Sequence, residues 1–291
     1  EQRADVGRGI RLCFDERGAP DAPLVILIMG LGLDLCWWRE DFCDALAARG
    51  FRVVRFDNRD IGRSTHLEGP GVSALGFLRR RADPVYTLGD MADDAAGLVA
   101  ELDPRGAHVV GVSLGAMIAQ EVAIRHPALT RSLVSIMGRP GDGRTGKVSR
   151  RMMPQFLRSG PRDPEGQVEY LVRTFRRIGS RGRTEADDED VRLTLRRSIS
   201  RESGDGTGGG RQLAAIIAER DRTTGLNGLR MPALVVHGRR DLVILPSGGR
   251  ATAAAVPGAE LLELEDMGHD LARWTWPAVL DGIERTAARA A

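Results

Sequence analysis

No apolar stretch in the 291-residue sequence exceeds six residues, and Leu24 to Met29 is one of that length. A helix that spans a bilayer needs about 18 or more, so no such helix is expected. Charge of one sign is also lacking. There are 42 Lys and Arg against 40 Asp and Glu, a net of +2, far from the basic surplus of a nucleic-acid binder. Nucleic acid is therefore not an expected partner. Cysteine is scarce: Cys13, Cys36 and Cys43 are odd in number and lack metal-site spacing, which reads as three reduced, buried thiols with no metal. Lys147 is the single lysine, a composition bias of the source genome more than a functional signal. Residues 1–20 have no apolar centre, so no signal peptide is expected and a cytoplasmic location is the default expectation. No internal repeat is visible.

What is present fits a folded globular chain. The hydrophobic fraction is 42% and the charged fraction 28%, close to average and unlike disordered, collagenous or coiled-coil sequences. The length allows one or two domains. Short apolar runs alternate with amphipathic stretches, the pattern of parallel strands joined by crossover helices. Strands are expected at Leu24–Met29, Arg52–Phe56, His108–Val112, Ser132–Met137, Ala233–His237 and Glu260–Leu264. Helices are expected at Trp38–Arg49, Leu88–Leu102, Leu114–Arg125, Ser247–Ala255 and Pro277–Ala290. The fold class is thus α/β, with a mostly parallel central sheet flanked by helices.

The alternation fails between residues 139 and 230, which hold 20 bases against 13 acids. Apolar residues there (Met152, Met153, Phe156, Leu157; Tyr170, Leu171, Phe175; Leu213, Ile216, Ile217) fall at helical spacing. This stretch reads as an inserted set of helices, with a mobile loop expected in the glycine-rich run near 204–210. The core is then 1–138 with 231–291. The basic surplus of the insertion is compatible with attraction of an anionic substrate or a carrier-protein arm, although a solvated basic surface is the simpler reading.

Gly111-Val112-Ser113-Leu114-Gly115 is a G-x-S-x-G between an expected strand and an expected helix. Glycines flank such a serine because a sharp strand-to-helix turn leaves no room for side chains two positions away, and the turn presents the hydroxyl at the sheet edge. The following helix start adds backbone N–H donors for developing negative charge. A serine hydroxyl needs a base, and the base needs a carboxylate to fix its tautomer. His269 and Asp241 both lie just past expected strand ends, and in a parallel sheet those ends share one rim. His237 is an alternative base with a structural role preferred, and Asp266 and Asp270 are competing acids beside His269. His66, His108 and His126 read as structural or surface residues. The turn from Asp57 to Ser64 reads as a hydrogen-bonded loop behind the site, with Arg59 and Asp60 as less favoured substrate contacts.

Together with Gly238-x-x-Asp241-x-x-x-x-Pro246 and Gly268-His269, this motif resembles the α/β-hydrolase fold superfamily over nearly the whole chain. The segments Asp57–Thr65 and His108–Gly111 are most similar to its aclacinomycin methylesterase-like group. The resemblance implies a Ser113, Asp241, His269 triad, residues 139–230 as a helical cap, and an oxyanion hole from the backbone N–H groups of Leu31 and Leu114. Many relatives carry His where this chain has Met29, which leaves the backbone donors unaffected. Gly30, Trp37, Trp38 and Met137 are candidate substrate contacts; the two tryptophans are equally suited to packing the first helix on the sheet.

The expected function is hydrolysis of a small to medium apolar carboxylic ester through an acyl-enzyme, with a natural-product methyl ester as one candidate and no cofactor. A biosynthetic thioesterase, lactonase, cyclase or cofactor-free lyase is the alternative on the same fold, and a non-catalytic ligand receptor a remoter one. A small-molecule ester or thioester is the expected partner, and a homo-oligomer is compatible with the sequence.

Overall fold

The computed structural model describes all residues except 74, 75, 77, 78, 80, 153–159, 162 and 291. Met153, Phe156 and Leu157 of the expected helical set lie outside the described residues. Eight strands form one sheet: β1 (Gln2–Asp5), β2 (Arg11–Arg17), β3 (Leu24–Ile28), β4 (Arg52–Phe56), β5 (Ala107–Val112), β6 (Thr130–Ile136), β7 (Ala233–Gly238) and β8 (Glu260–Leu264). Their order is β1-β2-β4-β3-β5-β6-β7-β8. The pairs β1–β2 and β2–β4 are antiparallel and all others parallel.

β3, β5 and β7 are buried along their whole length, as strands covered on both faces should be. Alternate residues supply two cores. Ile26, Ile28 and Val109 pack on one face under α2 (Leu88–Leu102) and α3 (Leu114–Arg125); Val25, Leu27 and Val110 pack on the other under α1 (Glu40–Ala47) and α9 (Trp276–Ala288). α2 starts at a capping box in which Thr87 and Asp90 satisfy each other's backbone N–H groups. α1 starts two residues later than Trp38, because Asp34 caps a single 3₁₀ turn at Leu35–Trp37 first. β1 and β2 escape sequence reading because β1 buries one of its four residues and β2 ends half-exposed, so neither shows an apolar run.

Between β6 and β7 lie α4 (Pro164–Ile178), α5 (Glu185–Arg201), α6 (Gly208–Ile217) and α7 (Thr223–Asn227), followed after β7 by α8 (Ser247–Ala255). α5 is tied to the sheet side through Arg201, buried between Asp34 and Asp57. Leu226 and Leu229 enter the core on the α2–α3 face, so packing on the sheet resumes before residue 231. The expectation of a mobile loop near 204–210 is corrected for its last three residues: Gly208 to Gly210 form the first turn of α6, whereas 204–207 lie outside any helix or strand. Their glycines serve close approach, since a Cβ at Gly208 would stand 1.9 Å from the Asp60 carbonyl oxygen. Among the described residues no helix is long and apolar enough to cross a membrane.

Candidate active site

Ser113 sits between β5 and α3 at φ 57° and ψ −116°, a conformation that non-glycine residues rarely adopt and that costs of order 1–3 kcal/mol. The surrounding backbone holds it there. The Ser113 N–H donates to the Ile136 carbonyl at 2.9 Å, and the two motif glycines let three chain segments close around the turn. A Cβ at Gly111 would lie 2.0 Å from the Gly115 carbonyl oxygen, and one at Gly115 2.0 Å from that of Ile28.

His269 Nε2 lies 2.9 Å from Ser113 Oγ, and His269 Nδ1 lies 2.7 Å from Asp241 Oδ2. A carboxylate can only accept, so Nδ1 carries the proton and Nε2 presents a lone pair to the serine hydroxyl. Asp241 is fully buried. Its Oδ1 accepts the Val243 and Ile244 N–H groups at 2.8 and 2.9 Å. Burial pushes this carboxyl up, but the positive charge His269 carries once protonated and hydrogen bonds from His237 and His269 outweigh it and hold it down at about 2. A hydroxyl, an imidazole and a carboxylate in line are an arrangement that can activate a nucleophile.

The loop carrying His269 is pinned by the end of α4 and the segment after it. The His269 N–H donates to the Ile178 carbonyl at 2.7 Å, and the Asp270 carboxylate accepts the Ser180 N–H and hydroxyl and the Arg183 guanidinium. Asp270 is thereby engaged away from the imidazole, and Asp266 pairs with Arg240 at the surface; Asp241 alone of the three orients His269. His237 is buried, with Nε2 2.8 Å from the Ile244 carbonyl and 3.4 Å from Asp241 Oδ2. It does not reach the serine side of the site. His66, His108 and His126 bond to Gly62, Ser132 and Asp93 respectively.

A cavity of about 270 Å³ opens onto Ser113 and His269. Gly30, Leu31, Trp37 and Met137 line it, joined by residues not expected from sequence as substrate contacts: Leu33, Leu171, Phe175, Ile178, Val243 and Leu271. The helical spacing of Leu171 and Phe175 was their one sequence signal, and it could not say which side of the helix met a cavity. Trp38 is a correction to the expected contacts. It is 1% exposed, packs on Phe42 beneath α1, and is absent from the cavity wall. The reason is the extended residue that ends the 3₁₀ turn, which sends adjacent tryptophans to opposite sides. Arg59 and Asp60 are consumed by Asp94 and Arg211 and do not line the cavity. Leu31 lies in the loop after β3, and Leu114 is the first residue of α3; an N–H at that helix position has no intrahelical acceptor. Burial pushes the Cys13, Cys36 and Cys43 thiols up to about 12, so none is a competing nucleophile at neutral pH.

Residues 23–272 match the family model described as the alpha/beta hydrolase fold. The chain belongs to this family. This alpha/beta hydrolase is 28% identical over 272 residues to the rhodomycin D methylesterase DauP of Streptomyces sp. (strain C5), covering 86% of each chain. It is 29% identical over 262 residues to BpoC of Mycobacterium tuberculosis (strain ATCC 25618 / H37Rv), which carries a non-heme bromoperoxidase name, covering 89% of this chain and 91% of that one. Among solved structures, the enol-lactonase from Burkholderia xenovorans LB400 superposes with a TM-score of 0.72 at 22% identity, over 99% of both chains. The alpha/beta hydrolase is thus similar to proteins of several named activities that share one fold.

Proposed function

We propose that this alpha/beta hydrolase is a serine-dependent carboxylic ester hydrolase for small to medium apolar esters. The observation that carries the reading is the unbroken hydrogen-bond chain from Ser113 through His269 to buried Asp241, at the floor of a cavity whose wall is largely apolar. Ser113 Oγ attacks the ester carbonyl while His269 Nε2 takes its proton. Asp241 holds the resulting imidazolium. The tetrahedral oxyanion is met by the Leu31 and Leu114 N–H groups, each such donor contributing about 3 kcal/mol in comparable hydrolases. Collapse breaks the ester C–O bond, His269 returns the proton to the leaving alcohol, and an acyl group remains on Ser113. Water then attacks, giving its proton to His269, and the acid leaves with the serine regenerated.

The wall supplies adaptable apolar surface through Met29, Met137 and Met152 and a flat face through Trp37, suited to an uncharged acyl group. The helices within 139–230 act as a cap that shapes this space. DauP is named as a methylesterase, and a methyl ester of a bulky apolar acid is the natural-product substrate proposed here. Hydrolysis of p-nitrophenyl butyrate by wild type and Ser113→Ala tests the reading. A loss of at least 10³-fold in kcat is expected; retention of more than about one per cent of activity would contradict the acyl-enzyme. Thioesters and lactones of equal size, run in parallel, rank the alternative acyl donors.

A further inference from the structure

The loop after β3 lies against the nucleophile: a Cβ on Gly30 would stand 3.4 Å from Ser113 Cβ. Two side chains hold the peptides on either side of the one that carries the Leu31 N–H. Before it, the Met29 carbonyl accepts from Asn58 Nδ2 at 3.0 Å. After it, the Gly32 N–H donates to Gln212 Oε1 at 2.9 Å. Gln212 is itself fully buried and anchored at its other end, donating from Nε2 to the Arg59 carbonyl at 3.0 Å. It projects from α6, whose glycine turn permits the approach. Gly208 meets Asp60 with no room for a Cβ, and Arg211 forks onto both Asp60 carboxylate oxygens at 2.9 Å.

We infer that Gln212 is a positioning residue: by fixing the Gly32 N–H it aims the Leu31 N–H at the oxyanion formed on Ser113. The inference rests on the esterase reading. Asn58 holds one flank from the core, whereas Gln212 holds the other from the helices between β6 and β7. Seating of α6 therefore completes the site that those helices cover. An oxyanion donor acts only when it lies about 2.7–3.1 Å from where the charge develops, so release of one flank weakens transition-state binding while leaving the apolar cavity able to hold substrate.

The test compares wild type with Gln212→Met, which keeps length and volume but removes the acceptor. With p-nitrophenyl butyrate, kcat is expected to fall at least tenfold with KM within twofold. Inhibition by phenylboronic acid, which adds to a serine oxygen as a tetrahedral anion, is expected to weaken by a similar factor, and inhibition by 1-hexanol, which needs only the cavity, to stay within twofold. Gly208→Ala, which lifts α6 from Asp60, should reproduce the pattern. A folded Gln212→Met enzyme with kcat within threefold of wild type overturns the inference, as does equal weakening of both inhibitors, which would mark a collapsed cavity. Amide exchange on the wild-type protein gives an arm independent of any variant: the Gly32 N–H is expected to exchange at least tenfold more slowly than that of Leu31, and equal rates overturn the brace. A wild type that neither hydrolyses the ester nor is labelled by a fluorophosphonate sinks the esterase reading instead, and the exchange comparison still decides the brace.

Discussion

His237 Nε2 faces the same carboxylate oxygen of Asp241 that accepts the His269 N–H, at 3.4 Å against 2.7 Å. Because Nε2 also donates to the Ile244 carbonyl at 2.8 Å, the ring stitches the start of the Gly238–Ile244 turn to its end, with the acid between them. Gly249 leaves space for it, since a Cβ there would lie 2.5 Å from His237 Nδ1. Replacing the donor should loosen Asp241 without touching substrate. We expect His237→Leu to lower kcat about tenfold, consistent with about 1.5 kcal/mol for a hydrogen bond to a charged group, with little change in KM. Steady-state kinetics check this; an unaltered kcat in a folded variant would show that the turn holds Asp241 unaided.

Trp37 and Phe175 stack with ring centroids 5.3 Å apart and 11° between planes. They form the wall between the cavity at Ser113 and a smaller one of about 90 Å³ lined by Arg39, Asp190 and Arg273. Phe175→Ala joins the two spaces. The ratio of kcat/KM for p-nitrophenyl decanoate over butyrate should rise about tenfold, the scale set by a few added apolar groups in a pocket. An unchanged ratio would mean that long acyl chains leave the site by another route.

The fold was legible where burial is two-sided. β3 and β7 follow their apolar runs to within one residue, because strands covered by helices on both faces are largely apolar; β4 keeps its expected bounds although Arg52 and Arg55 interrupt it. The positions of Ser113, Asp241 and His269 were legible for a related reason, since each directly follows a strand or the turn after one. Side-chain direction was not legible. Trp37 and Trp38 are adjacent and chemically identical, yet one lines the cavity and the other sits under α1, a difference set by a local backbone turn. The glycine run at 208–210 misled for a physical reason as well: glycine marks flexibility and close packing equally, and only the position of Asp60 decides between them.

His108 lies in β5, buried, with Nδ1 2.9 Å from Ser132 Oγ. Burial, with a contribution from the Arg131 charge, pushes its imidazole down to about 4. The unfolded chain protonates near the ordinary value of about 6.5, so between those pH values the unfolded state binds the proton and the folded state does not. Stability is therefore full above about pH 6.5 and falls as pH drops toward 4, by on the order of 3 kcal/mol at most. Denaturant unfolding at pH 7 and pH 5 should show a smaller loss for His108→Gln than for wild type. Equal losses would assign acid sensitivity to other groups.

Intact-protein and peptide mass spectrometry after treatment with a fluorophosphonate tests the central claim most directly, because the reagent bonds preferentially to a serine activated as a nucleophile. The account predicts one adduct per chain, located on the peptide containing Ser113, and its loss in both Ser113→Ala and His269→Ala. A single adduct on another residue, or an unlabelled Ser113 in an enzyme that still hydrolyses esters, would contradict it.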